Sequence, residues 1–253
     1  MRFLITNDDG LHAHGIDCLV EATQPLGEVT VVAPDREQSA TSHSLTLHHP
    51  LRPVRRGERR WQVDGTPTDC VMLALEALMP ERPDFVLSGI NHGQNMGEDV
   101  LYSGTVAAAM EGLALGIPSI AVSFAGGDLR ADVSQLRQQV KILTPLLEHL
   151  TSLPSFPADT LFNVNLPPLQ SDAVKGVKLT RLGRRVYSQS VAPMKDPWGR
   201  QIYWIGGGAI SWTGEVDSDF RAIQDGYVSV TPLHLDLTHY GVLEEAATWW
   251  RDL

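Results

Sequence analysis

Four short polar clusters hold the side chains of this sequence that are able to do chemistry. The first is Asn7-Asp8-Asp9-Gly10. Adjacent carboxylates repel each other unless a positive charge lies beside or between them. A hard divalent cation such as Mg²⁺ or Mn²⁺, which takes oxygen ligands, meets that need. The competing reading is a turn in which one Asp caps the next helix and Gly10 supplies a positive φ. The second cluster is Pro34-Asp35-Arg36-Glu37-Gln38-Ser39, followed by Thr41, Ser42, His43 and Ser44. In the third, Gly89, Gly93 and Gly97 bracket Asn91 and Asn95, so the backbone can bend tightly around a small ligand. The fourth, Tyr102-Ser103-Gly104-Thr105, opens a helical pattern. Hydroxyls, a glycine and backbone N–H groups at a helix N-terminus suit a phosphate. The plainer alternative there is an N-cap by Ser103 or Thr105, worth about 1 kcal/mol.

These clusters have to be held by something, and the apolar pattern between them says what. Phe3–Thr6, Val29–Ala33, Phe85–Ser88 and Ile120–Phe124 are short apolar runs rich in Val and Ile, which read as strands buried on both faces of a parallel sheet. Helical periods alternate with them. Ile16, Leu19, Val20 and Thr23 form one face; Val71, Leu75 and Leu78 form another behind a start at Thr66-Pro67-Thr68-Asp69. Val106, Met110 and Leu113 mark a third helix, and Val133, Leu136, Val140, Leu143 and Leu147 a fourth. The alternation predicts an α/β fold, a Rossmann-like doubly wound, mostly parallel sheet. The first three clusters then follow the carboxyl ends of three strands, the edge at which open α/β sheets bind ligands.

After about Pro154 the pattern changes. Leu161–Leu166, Val177–Leu182, Ile202–Ile205 and Tyr227–Leu233 read as strands, and Leu243–Trp250 as a last helix. The polar stretch from Gly183 to Asp219 holds Trp198, Trp204 and Trp212, and is too long for a loose loop. It reads as an extended β-arm whose aromatic residues either contact another subunit or cover one end of the sheet. The expected organisation is one domain over 1–253: a core of about 1–182 and 220–235, an arm of about 183–219, and a C-terminal helix of about 242–251.

Composition excludes several classes. The 253 residues are 43% apolar, with 20 basic against 30 acidic side chains and a net charge of −10, a poor balance for holding nucleic acid. The two cysteines, Cys18 and Cys70, make no framework of bridges and sit in helical patterns. No apolar run suits a membrane span, and Asp8 and Asp9 come too early for a signal peptide, so the expected location is the cytoplasm. A dinucleotide Gly-x-Gly-x-x-Gly, a P-loop, a Gly-x-Ser-x-Gly elbow and a His-Glu-x-x-His zinc motif are all missing. Arg55-Arg56 and Arg59-Arg60 flank Gly57-Glu58 as a solvated hairpin tip, and Arg181, Arg184 and Arg185 are placed to steer a phosphorylated substrate. His12 and His14 read as part of a short flexible turn over the site, with His12 a candidate proton donor or lid residue.

Taken together, the motifs resemble the SurE family, the survival-protein nucleotidases. The matching stretches are Asn7–Gly10, Ala33-Pro34-Asp35-Arg36 through Ser39, Gly65-Thr66-Pro67-Thr68-Asp69-Cys70, Ser88-Gly89-Ile90-Asn91 with Gly93 and Asn95, Tyr102 through Gly112, and Gly226 through Leu233. The resemblance implies a metal-dependent phosphomonoesterase acting on nucleoside 5′- and 3′-monophosphates, with short polyphosphate a further substrate of some members. It implies one divalent ion, held by Asp8, Asp9, Ser39 and Asn91, and assembly into homodimers or homotetramers through the arm and C-terminal helix. One position departs from the pattern: His14 stands where the family usually has Pro, which predicts a freer loop beyond the metal site.

The expected reaction is in-line hydrolysis. Asp8 and Asp9 position the ion, Ser39 and Asn91 complete it, and Asn95 with Ser103, Gly104 and Thr105 binds the remaining phosphoryl oxygens. Attack by an Asp carboxylate is the second enzymatic reading, but the haloacid-dehalogenase motif Asp-x-Asp-Gly-Thr needs Asp and Thr where this chain has Asn7 and Leu11. A non-catalytic nucleotide sensor using the same cradle is the rival from another class.

Overall fold

The computed structural model describes residues 1–126, 133–187, 191–205, 210–246 and 249. The first half runs β1 (Arg2–Thr6), α1 (His14–Thr23), β2 (Glu28–Pro34), β3 (Pro53–Gly57), β4 (Arg60–Val63), α2 (Pro67–Leu73), β5 (Phe85–His92), α3 (Gly104–Ala114) and β6 (Ser119–Phe124). There follow α4 (Val133–Thr151), β7 (Leu161–Leu166), β8 (Val177–Leu179), β9 (Arg184–Tyr187), β10 (Val191–Lys195), β11 (Gln201–Ile205), β12 (Ile210–Thr213), α5 (Asp219–Gln224), β13 (Val228–Leu233) and α6 (Tyr240–Ala246).

Nine strands form one sheet in the order β3-β4-β2-β1-β5-β6-β7-β13-β8. From β4 to β7 every neighbouring pair is parallel, as is β13 with β8; β3/β4 and β13/β7 are antiparallel. The period of two along β1 sorts its residues between two cores. Phe3 and Ile5 pack with Ile16 and Leu19 of α1 and Leu143 and Leu147 of α4. Leu4 faces the other way, onto Val71 of α2 and Ala108 of α3. Helices thus cover both faces, and each buried Leu or Ile contributes about 1.5–3 kcal/mol. The chain leaves β1 toward β2 on one side and returns to β5 on the other, so the strand order reverses between β1 and β5.

Local signals account for the helix starts. Thr66 accepts from the Asp69 N–H while the Asp69 side chain accepts from the Thr66 N–H, a capping box with Pro67 in the first turn. Met79 follows a π-helical stretch, Ala74–Leu78, that widens the end of the helix. Gly15 lies so close to β5 that a Cβ there would overlap the Ile90 carbonyl oxygen.

Several expectations shift. The strand read as Phe85–Ser88 continues to His92, with a register irregularity between Ser88 and Asn91 against β6. The strand read as Val177–Leu182 is three residues long. The arginines around Gly57 do sit on a hairpin, β3–β4, but it is the edge of the main sheet. Arg60 there is no solvated tip residue: its guanidinium donates to the Leu11 carbonyl at 2.9 Å and to Asp17 at 2.7 Å. Between 183 and 219, β10 pairs with β11 and β9 with β12, each pair antiparallel. Trp198 and Trp204 are exposed, whereas Trp212 stacks on Phe220 with ring centroids 5.7 Å apart. Six-residue α5 went unread because it is shorter than two helical turns. The last helix begins earlier than the expected Leu243–Trp250, and residues 247, 248 and 250 of that span lie outside the described residues.

Candidate active site

β1 delivers Asn7, Asp8 and Asp9 to the carboxyl edge of the sheet. Asn7 holds the turn: its Nδ2 donates to the Gly10 carbonyl at 3.0 Å and its Oδ1 accepts from the Gly10 N–H at 3.2 Å. Gly10 takes a φ of 94°, as the turn demands. Neither aspartate is spent on the turn, so both carboxylates point elsewhere.

Asp8 is buried at the start of α3. Its Oδ1 accepts from the Thr105 hydroxyl, and Gly104 packs so tightly on it that an added Cβ would lie 2.8 Å from the Asp8 Cβ. Burial first, and then the charge of Asp9, push the Asp8 carboxyl up to about 6, against the opposing pull of the Thr105 hydroxyl and N–H. Asp9 reaches across the gap where the strand order reverses: its Oδ2 accepts the His92 backbone N–H at 3.0 Å, and its Oδ1 lies 3.7 Å from the His92 Nδ1.

Two hydrogen bonds tie the chain neighbours of Ser39 and Asn91, the other expected ligands, to the aspartates. The Gln38 N–H donates to the Asp8 carbonyl at 2.7 Å, which sets Ser39 one residue away. Ser39 is exposed and its hydroxyl donates to Glu37 at 2.8 Å. Asn91 precedes the His92 that binds Asp9, and its Nδ2 donates to the Gly93 carbonyl at 2.9 Å. Among the described residues no group of three or more His, Cys, Asp or Glu is placed to hold a metal. A cation here therefore draws on two carboxylates and on neutral oxygens. That oxygen-only set would suit Mg²⁺ or Mn²⁺, and a carboxyl pushed up by burial and then by its neighbour's charge is the electrostatic gap such an ion would fill.

At the fourth cluster Ser103 caps α3 by accepting from the Val106 N–H at 3.0 Å. The anion at this helix N-terminus is the protein's own Asp8. Asn95 is braced on every side: its N–H donates to Asn165 Oδ1 at 2.9 Å, its Nδ2 to Ser123 Oγ at 2.8 Å, and its carbonyl accepts from Asn163 and Asn165. Asn163, Asn165 and Ser123 escaped the sequence reading, although two asparagines alternating with apolar residues in Leu161–Leu166 are a visible anomaly. Asp219, also unread, is buried and accepts from the N–H groups of Gly97, Gly183 and Phe220, fastening the segment before α3 to the base of the β9–β12 region. Of the three arginines read as steering groups, Arg181 is paired with Asp217 and Arg185 with Asp99. His43 reaches Glu111 of α3 at 2.7 Å and ties the Ser39 loop to the same helix.

With this geometry in place, comparison with known proteins identifies the family. The model described as "Survival protein SurE" matches residues 3–189. The chain belongs to the SurE family. A Gemmatimonas aurantiaca protein named "5'-nucleotidase SurE" is 71% identical over 252 residues, covering 100% of both chains. An Aeromonas hydrophila protein of the same name is 48% identical, covering 98% of each. The crystal structure of SurE protein from Aquifex aeolicus superimposes with a TM-score of 0.85 at 43% identity, over 98% of this chain and 99% of that one.

In the loop that carries His14, where the resemblance leads to the expectation of a lost Pro and a freer chain, the backbone is held by hydrogen bonds. The Leu11 N–H donates to the Pro34 carbonyl at 2.8 Å and the Ala13 N–H to the Gly10 carbonyl at 3.1 Å, while Arg60 holds the Leu11 carbonyl. His14 itself is the first residue of α1. The loop walls a cavity of 360 Å³ that includes Asp9, His12, His14, Arg36 and His92.

Proposed function

We propose that this chain hydrolyses nucleoside 5′- and 3′-monophosphates to nucleoside and phosphate, with short polyphosphate as a further substrate to be tested. The observation that carries the reading is the buried Asp8 carboxylate, held by Thr105 beside the charge of Asp9, at the sheet edge where the strand order reverses. Relatives named as 5'-nucleotidases along the full length support it.

One divalent cation, Mg²⁺ or Mn²⁺, would be held by Asp8, Asp9, Ser39 and Asn91, and when bound supplies charge neutralisation at the phosphoryl group. The protein supplies the rest. Thr105 fixes the rotamer of Asp8, and the His92 N–H fixes Asp9, so both carboxylates are oriented before substrate arrives. Gly104, with no side chain, lets Asp8 pack against the first turn of α3, whose dipole favours the carboxylate's negative charge. Asn95, Ser103, Gly104 and Thr105 are the proposed phosphate contacts beside that carboxylate, Asn95 being braced by Ser123 and Asn165 so that it does not yield as charge shifts.

The deciding experiment is phosphate release from a panel of nucleoside 5′- and 3′-monophosphates with Mn²⁺, Mg²⁺ or EDTA, for wild type and Asp9→Asn. Turnover that requires metal and falls about a hundredfold or more in Asp9→Asn is expected. Binding of the nucleotide with metal but no release after hours supports the sensor instead. In a single turnover in ¹⁸O-water the label is expected in phosphate; label in Asp8 or Asp9 means covalent attack.

The same proposal includes homodimers or homotetramers, supported by the exposed Tyr203, Trp204 and Ile205 of β11. It also includes a cytoplasmic location, supported by the buried, unbridged Cys18 and Cys70. Among the described residues no helix is long and apolar enough to cross a membrane.

A further inference from the structure

We infer that the 360 Å³ cavity beside Asp9 receives the nucleoside half of the substrate, with His12 and His14 as its ring contacts. This rests on the nucleotidase reading above and adds to it the residues that distinguish a nucleotide from a bare sugar phosphate.

Access decides the location. Asp8 is covered by Thr105 and Gly104, so a substrate approaches the carboxylate pair past Asp9, and Asp9 lines this cavity. The cavities of 320 and 260 Å³ lie around Trp212 and Phe220 and touch none of Asp8, Asp9, Ser39 and Asn91. Charge decides the orientation. Asp9, Asp35 and Glu37 line the cavity, and the one arginine, Arg36, is already paired with Asp35 at 2.8 Å. A dianionic phosphoryl group is disfavoured among those carboxylates and belongs at the metal-binding end, leaving the cavity to the uncharged nucleoside.

The walls supply the recognition. His12 and His14 are exposed, and among the described residues neither imidazole has a hydrogen bond, ion pair or ring contact. Two uncommitted imidazoles on a mobile loop would mean little. These are carried by a loop whose backbone is held at Leu11 and Ala13 and by Arg60, and by the first turn of α1. The anchored backbone keeps both imidazoles at the cavity wall, where they offer a base a stacking face and hydrogen-bonding edges.

The test compares kcat/KM for adenosine 5′-monophosphate with that for ribose 5-phosphate, in wild type, His12→Ala, His14→Pro and His14→Phe. Proline suits the first position of a helix, so His14→Pro removes the ring while keeping α1. Wild type should prefer the nucleotide. His12→Ala and His14→Pro should each lower that preference about five- to tenfold, through KM for the nucleotide, and His14→Phe should keep most of it. Thermal unfolding of each variant checks the fold, and if His14→Pro fails to fold, His12→Ala carries the test. A wild type without preference, or variants of an active enzyme with the preference unaltered, overturns this inference alone. No phosphate release from either compound with Mg²⁺ or Mn²⁺ overturns the nucleotidase reading and this inference with it.

Discussion

Replacing Gly104 by Ala tests whether the start of α3 and the Asp8 carboxylate are fitted to each other for function. Gly104 is helical, so backbone strain does not enter. The new Cβ would lie 2.8 Å from the Asp8 Cβ, 3.1 Å from its Oδ2 and 3.2 Å from the Thr41 hydroxyl. Carbon atoms settle at about 3.5–4.0 Å, so Asp8 or the helix must give way by roughly 0.7 Å or more. A displacement near 1 Å in a catalytic constellation lowers the rate about a hundredfold. The stability change is smaller: overpacking costs about 1–3 kcal/mol, offset by about 0.4–1 kcal/mol from the stiffer unfolded chain. In a chain of this length that lowers Tm by about 2–8 °C. Gly112→Ala separates the two effects, because its Cβ would crowd Val86 at 2.8 Å and overlap Ser119, far along the same helix from Asp8. Metal-dependent phosphate release and thermal unfolding, measured on both variants, should show comparable stability losses but a large activity loss in Gly104→Ala only. Retention of kcat within about threefold in Gly104→Ala, at a temperature where it is folded, would refute the fitted arrangement.

Three further outcomes follow from the same contacts. In EDTA, the folded Asp8 carboxyl at about 6 stands above its ordinary 3.8, so the folded state keeps a proton that the unfolded state has lost. Its contribution is full below about pH 4 and lost as pH rises through 6, up to about 3 kcal/mol; Tm of wild type relative to Asp8→Asn should fall over that interval, and a rise would be contrary to the burial argument. Asp219→Asn sets an amide NH₂ against one of the three N–H groups that Asp219 now accepts, and should lower stability by about 1–3 kcal/mol, read by urea or thermal unfolding. Ile205→Asp places a charge on an exposed apolar strand, where Ile205 is 90% exposed. By analytical ultracentrifugation it should dissociate an oligomer built through β11 and leave one built elsewhere intact.

How much of this was legible in the sequence depends on how local the cause is. The capping box at Thr66 and Asp69 and the run Leu161–Leu166 are written in adjacent residues, and the structure reproduces both. The extension of β5 to His92 is not local. Gly89, at a φ of 135°, sits where a side chain would strike Val122, and the strand resumes pairing with β6 only after a register irregularity. A window centred on Gly89-Ile90-Asn91 reads as a turn because the neighbour that makes it a strand is thirty residues away. The same applies to the loop after Asp9. His14 in place of Pro predicts freedom from backbone entropy alone, whereas the restraint comes from Arg60 and Pro34, which no spacing rule connects to Leu11.

The two readings of Asn7-Asp8-Asp9-Gly10, turn or cation site, compete in the sequence because each asks for the same short polar run. In the structure the turn does not compete for the carboxylates, because Asn7 closes it. Asn7 satisfies both the N–H and the carbonyl of Gly10, so the turn closes without an aspartate. Asp8 is then carried to α3 and Asp9 to β5, each to a donor from a different element. With the donors coming from Thr105 and His92, the two carboxylates are held as neighbours although they repel, which a self-capping turn would have no reason to do. Burial first, and then the repulsion from Asp9 that these separate segments impose, push Asp8 up. Thr105→Val removes a hydrogen bond that holds the Asp8 carboxyl down and should push it up further, which makes the pH dependence of the metal-free protein a reading of how the site is held.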